Sequence, residues 1–221
     1  SLFCFIEVTL KTQNNNAPVL IKDELIITLE SGTQQRIPLK VYGQDAEILH
    51  NPTITANTTY SATKPYLIYG ALTINEGVTL TLAPGARLFF HANGYIDCNG
   101  TLYADGSSDE IILRGDRLDH MFDYLPYDRL DNQWLGIILN NSSKDNYLKN
   151  VDIHSGSYGI SANGENTDNT KLTLLSSTIH NVGGNGLYLN NCAAIVANTL
   201  ISNCRGNCVE VFGGKYPFDF C

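Results

Sequence analysis

Charge is what this chain has least of. Only 16% of its 221 residues are Asp, Glu, Lys or Arg, and acids outnumber bases 22 to 14, for a formal net charge of −8. No basic patch is present to neutralise phosphates, which excludes nucleic acid as a partner. Long apolar runs are also missing: nothing approaches the roughly 18 consecutive residues of a membrane span. Residues 2–10 are apolar but lack the basic start and small-residue cleavage site of a signal peptide, so any export signal is expected upstream of Ser1. Among the six cysteines no CxxC pair of zinc spacing occurs. A Cys204–Cys208 disulfide and free buried thiols both remain open, and Cys204 takes an apolar, inward slot where Cys acts as a small hydrophobe.

What the chain has instead is a repeat. Thr178-Ile179-His180-Asn181 returns 22 residues later as Leu200-Ile201-Ser202-Asn203, and Val182, Leu187 and Leu189 fall on Cys204, Val209 and Val211. By the same shift Ile74, Thr79, Leu80 and Leu82 map onto Ile96, Thr101, Leu102 and Ala104. Leu148, Val151 and Ile153 match Leu174, Ser177 and Ile179 at a spacing of 26, with the extra residues in the polar stretch 164–170. A fixed period of this size marks a solenoid. Within each unit apolar residues alternate, as in Val151-Asp152-Ile153 and Leu187-Tyr188-Leu189, and Gly and Asn separate the runs. Alternation is the strand period, and Gly and Asn tolerate the positive φ of tight turns. The expected fold is all-β: a parallel β-helix of about 22-residue coils, its stacked strands spaced about 4.8 Å apart.

The expected organisation has three parts. Residues 1–48 read as partial immunoglobulin-like antiparallel β, with a hairpin turn at residues 30–33 and further strands at 2–10 and 17–21. Residues 49–65 read as a polar linker, and the β-helix runs over 66–221. Residues 216–221 begin another coil, so a partner covering the open end near Cys221, or sequence beyond it, is expected. Low charge with many Asn, Thr and Tyr suits an extracytoplasmic protein: cell surface, outer membrane-associated or periplasmic.

One segment breaks the period. Residues 115–133, GDRLDHMFDYLPYDRLDNQ, form an inserted loop without alternation and hold the densest patch of charged and aromatic side chains. Asp116, Arg117, Asp119, His120, Phe122, Asp123, Tyr124, Tyr127, Asp128 and Arg129, with Trp134 just beyond, are the candidate ligand-binding set. Rings stack on the apolar C–H faces of sugars while carboxylates and arginines meet hydroxyls, so glycan is one expected ligand and a surface protein the other. The bland alternative is a loop covering the solenoid, with Phe122 and Tyr124 packed into it.

A secondary cluster is Asp152, His154 and His180. Val151 and Ile153 point inward, so Asp152 and His154 point outward, and His180 stacks on His154 one coil later. Such a group can bind a metal or move a proton. Leu200 and Ser202 continue the columns, however, so the expectation is a solvent-facing ladder without a metal. No cofactor is expected. No pair of carboxylates repeats at the coil shift, so no catalytic residues are assigned. The matched Asn181/Asn203 and Asn185/Asn207 pairs read as turn ladders.

Residues 72–85 (LTINEGVTLTLAPG), 100–106 (GTLYADG) and 133–137 (QWLGI) resemble the opening coils of right-handed parallel β-helix repeat proteins of the pectin-lyase-like fold. They are similar to uncharacterised surface or lipoprotein-like members found in Gram-negative gut bacteria. The resemblance implies the fold for residues 20–221. For function it implies a range: polysaccharide lyases and glycoside hydrolases at one end, non-catalytic adhesins at the other. The expectation is a non-catalytic glycan- or protein-binding scaffold, with a polysaccharide lyase or hydrolase and a purely structural spacer as the alternatives.

Overall fold

The computed structural model describes residues 5–9, 11–12, 17–165 and 167–221. Three parallel sheets of seven strands each run the length of a seven-coil solenoid. The first sheet contains Glu47–His50, Tyr66–Tyr69, Arg87–Phe90, Ile111–Gly115, Val151–His154, Thr178–Val182 and Leu200–Cys204. The second runs from Thr53–Ile54 to Val209–Phe212, the third from Thr58–Tyr60 to Phe218–Asp219. One strand of each sheet makes one coil.

The alternating apolar residues turn inward and stack as columns. Tyr66, Leu88, Leu113, Ile153, Ile179 and Ile201 pair in series along the first sheet. Leu80, Leu102 and Ala104 are fully buried in the third, as are Leu187 and Leu189 in the second. Side chains from three sheets thus fill a continuous interior, which is why no coil has a core of its own.

The register agrees with the sequence period where turns keep their length. Thr178 lies opposite Leu200 and Leu187 opposite Val209. It departs at Ile74, which pairs with Cys98 rather than Ile96. Residues 91–94 lengthen the turn between the first and second sheets, and a shorter turn after Cys98 restores the 22-residue match at Thr79 and Thr101.

Two boundaries differ from the sequence expectation. The solenoid begins at Glu47–His50, which pairs in parallel with Tyr66–Tyr69. Residues 49–65, expected as a linker, supply the strands of the first coil, Thr53–Ile54 and Thr58–Tyr60. Those strands are too short and polar to show alternation. Upstream, Val19–Thr28 and Gln34–Gly43 form one antiparallel hairpin. Residues 17–21 belong to its first strand and its approach, residues 5–9 carry no regular structure, and Leu2, Phe3, Cys4 and Leu10 lie outside the described residues.

Cys98, Cys192, Cys204, Cys208 and Cys221 are free. Cys204 stands opposite Val182, in the inward column expected for it. Burial pushes its thiol up to about 11, with the nearby Cys208 acting in the same direction.

Candidate functional site

The outer face of the first sheet changes character along its length. One outward column reads Ile48, Leu67, Phe89 and Arg114, then His180 and Ser202, with His154 between Arg114 and His180. Apolar residues occupy the early coils, and titratable ones begin where the insertion leaves the solenoid.

The insertion folds back over this face. Its ends close on each other at Gly115, where a Cβ would occupy the space of the Gln133 side chain. Returning, the Asn132 and Gln133 amides donate to the carbonyls of Gly156 and Ser155 at 3.1 and 2.8 Å. Asn181, in the left-handed turn conformation with φ 54°, donates from Nδ2 to the Arg129 carbonyl at 2.5 Å. Asp131 is paired with Arg205 of the last coil, and Asp116 with His91 of the third at 2.7 Å. The loop is therefore strapped across the coils on both sides of its origin.

With this cover the expected surface ladder is partly buried: Asp152 and His180 are half-buried and His154 is buried. His154 is only 7% exposed and Arg114 9%. Asp152 Oδ1 lies 3.0 Å from His180 Nε2, and Asp152 Oδ2 lies 3.1 Å from His154 Nδ1. The second approach lacks hydrogen-bond alignment, so His154 Nδ1 is buried without a hydrogen-bond partner. The two imidazoles stack with centroids 4.8 Å apart. Burial acts to raise the Asp152 carboxyl, but the His154 and His180 imidazoles outweigh it and hold the group well below the usual carboxylate range. The Asp152 hydrogen bond raises His180 in turn. Arg114 lies over the Phe89 ring at 4.2 Å and donates to the Gly115 and Arg117 carbonyls at 3.0 Å each. Burial pulls its guanidinium down, opposed by Asp128, Asp116 and Asp152. Asp128 of the insertion acts on both Arg114 and His180, so the loop and the ladder share one electrostatic environment.

The sequence-assigned ligand set divides. Phe122 and Tyr124 are 54% and 80% exposed, at the tip of the hairpin His120–Phe122 and Leu125–Pro126. Their rings stack at 5.6 Å; the alternative that packed them into the solenoid is not what the structure has. Asp123 is exposed beside them, and its carbonyl lies 3.3 Å from His120 Nδ1. Arg117 pairs with Asp119 at 2.5 Å and lies over the Tyr127 ring at 3.4 Å. Arg129 is exposed. Trp134 is corrected: at 1% exposure it stacks on Phe90 at 4.4 Å and donates from Nε1 to the His154 carbonyl at 2.8 Å. It belongs to the core, because the chain has re-entered the solenoid by that residue.

Two concavities flank these groups. One of about 450 Å³ lies on the first sheet beside the insertion, lined by Tyr42, Lys64, Leu67, Phe89, Asp116 and Leu118. Tyr42 stacks on His120 at 6.0 Å, which joins the N-terminal hairpin to the insertion. The other, about 490 Å³, lies on the second sheet between Tyr158 and Tyr188 over Ile138 and Ser161. Sequence reasoning missed Arg114, which reads as one more outward strand residue, and the Tyr158–Tyr188 groove. Their signals were a charge directly before the period breaks and two tyrosines in neighbouring coils.

A family model described as a right handed beta helix region matches residues 135–218. No curated protein and no solved structure matches the chain. The matched segment begins where the insertion ends, so the likeness covers the scaffold and not the loop. It is consistent with a pectin-lyase-like scaffold and names no ligand. No helix among the described residues is long and apolar enough to cross a membrane.

Proposed function

We propose that the chain is a non-catalytic, extracytoplasmic β-helix that binds glycan through the insertion at residues 115–133. The observation that carries this reading is the exposed, stacked Phe122–Tyr124 pair at the insertion tip. A protein that exposes two adjacent rings on a strapped loop forgoes their burial, and flat aromatic faces beside the Asp123 carboxylate suit the mixed C–H and hydroxyl surface of a sugar. The adjacent 450 Å³ concavity is of a size that holds a small ligand, and Lys64, Asp116 and Tyr42 offer polar atoms in it. Residues 115–133 hold five aspartates against two arginines, and the chain is acidic overall. Neutral glycans are therefore favoured over uronic-acid polymers, which like charge would repel. A surface protein with an aromatic-accepting pocket is the other partner class this tip fits.

The test is a glycan array followed by affinity measurement on the best neutral oligosaccharide. The paired substitution Phe122→Ala with Tyr124→Ala should weaken binding by about tenfold or more, since each lost aromatic contact is worth on the order of 1 kcal/mol. Unchanged affinity would remove the insertion tip from the site.

A second reading is favoured by one specific observation, the Asp152 carboxylate held against two imidazoles beneath the insertion. It is a polysaccharide lyase or hydrolase in which this cluster moves a proton. That reading requires unsaturated or reducing ends to accumulate from a polysaccharide, and their loss in Asp152→Asn.

A further inference from the structure

We propose that Asp152, His154 and His180 bind one first-row divalent transition-metal ion, with zinc as the reference case. The inference does not rest on glycan binding, and either can fail without the other.

The donor set comes first. A carboxylate oxygen and two imidazole nitrogens all lie within 4.8 Å of one another. Asp152 meets the two imidazoles through different oxygens, Oδ1 at 3.0 Å from His180 Nε2 and Oδ2 at 3.1 Å from His154 Nδ1, separations close to the roughly 3.4 Å between donors on a tetrahedral ion at zinc's bond lengths of about 2.0–2.1 Å. Two nitrogens in three donors select against calcium and magnesium, which take oxygen, and suit zinc, cobalt, nickel or copper. Three protein ligands leave a coordination position open.

The second observation is the state of His154. Its Nδ1 is buried 3.1 Å from Asp152 Oδ2, out of line for a hydrogen bond, and lacks a hydrogen-bond partner. A buried nitrogen without a partner costs free energy that a metal bond would offset. A shared ion would give this nitrogen the partner that hydrogen bonding does not.

The third is the hydrogen-bond inventory of His180. Nδ1 lies 3.0 Å from Asn181 Oδ1 and Nε2 lies 3.0 Å from Asp152 Oδ1. The Asn181 amide orientation is set by its neighbours: Nδ2 donates to the Arg129 carbonyl, and Oδ1 accepts from Asn203 Nδ2 at 2.9 Å. Nδ1 of His180 must then be the donor, which leaves Nε2 facing a carboxylate. A neutral imidazole has no second hydrogen to give, so a cation has to stand between Nε2 and Asp152, either a proton or a metal ion. An acceptor that takes the other ring N–H of a ligating histidine and so orients it is the usual support of a metal site. Here it comes from the asparagine ladder and, through Arg129, from the insertion.

Around the cluster the Arg114 cation is set against Asp128 and Glu110, so the ion's charge enters a surrounding with an excess of acid. The exposed His91, paired with Asp116, is a separate imidazole–carboxylate pair with no second histidine in hydrogen-bond contact and serves as an internal control.

The experiment uses the full chain, stripped with chelator and kept reduced, titrated with Co²⁺ and then Zn²⁺. The expected result is one equivalent bound, a visible cobalt spectrum of four- or five-coordinate nitrogen and oxygen ligation without a thiolate charge-transfer band, and displacement by Zn²⁺. Zinc at a hundredfold excess over its Kd should raise Tm by about 5–10 °C. His154→Gln and Asp152→Asn should each abolish binding, while His91→Gln and the pair Cys208→Ser with Cys221→Ser should retain it. If His154→Gln fails to fold, the more exposed His180→Gln makes the same test. Less than one equivalent on the wild-type chain, a thiolate band, or binding that survives in both Asp152→Asn and His180→Gln would overturn the proposal.

Discussion

His180 and Asp152 set the pH behaviour of the site in metal-free protein. Asp152 is held below its ordinary value, so its contribution to stability is present above the unfolded carboxyl pKa of about 3.9 and is lost as pH falls through the depressed folded value. His180 is raised, so its contribution is present below the unfolded imidazole pKa of about 6.5 and is lost as pH rises through the higher folded value. Both contributions coexist between those two unfolded values. Chelator-treated wild type should therefore lose stability as pH rises above about 6.5, and Asp152→Asn should lose measurably less over the same rise, as read by urea midpoints. Trp134 makes the second residue-scale prediction. It fills the core against Phe90 and ties its ring nitrogen to the His154 carbonyl. Trp134→Ala should cost about 3–5 kcal/mol, and the cobalt spectrum should broaden or weaken as the His154 backbone loosens. Alternation told which of Val151, Asp152, Ile153 and His154 face out. It did not tell that His154 is buried, because what buries it is a loop from the previous coil with no period to align. Trp134 departs from expectation for a related reason: it adjoins the insertion in sequence, while packing places it inside.

The insertion is the element on which the functional reading rests, and its parts have different tasks. Its base is structural: Gly115, Gln133, Asn132 and Asp131 fasten it to the solenoid. Its tip is free of such duties. Phe122→Ala with Tyr124→Ala should therefore change stability by no more than about 0.5 kcal/mol per site while weakening glycan binding by about tenfold or more. Gly115→Ala should do the reverse at the base, displacing the returning strand at Gln133 and lowering Tm with the tip unaltered. Break and composition made this element visible in sequence, since charge and rings gather where alternation stops. Its direction was not visible, because Arg205, Asn181 and His91, which receive it, lie up to several coils away. The ladder and the insertion, which sequence presents as two candidates, are linked electrostatically, since Asp128 acts on both Arg114 and His180.

At the scale of the whole molecule the solenoid is a stack of nearest-neighbour interfaces, so stability should vary along it. The central coils bury Leu102, Leu113, Leu148 and Ile153 completely, while Leu200, Val209, Val211 and Phe218 of the last coil are substantially exposed. The hairpin of Val19–Thr28 and Gln34–Gly43 leaves most of its side chains open, including Ile26, Ile27 and Ile37. Native-state hydrogen exchange should be slowest in coils three to six and faster in the last coil and the hairpin. The coil count was legible only in the regular half. The first coil, with strands of two to four residues, carries too little alternation to separate from a linker. The most direct test of the functional account is hydrogen–deuterium exchange of the intact chain with and without the neutral oligosaccharide selected on the array. The account predicts ligand-dependent protection in residues 115–133 and around Tyr42. Protection centred instead on the Tyr158–Tyr188 groove of the second sheet, with the insertion unchanged, would contradict it.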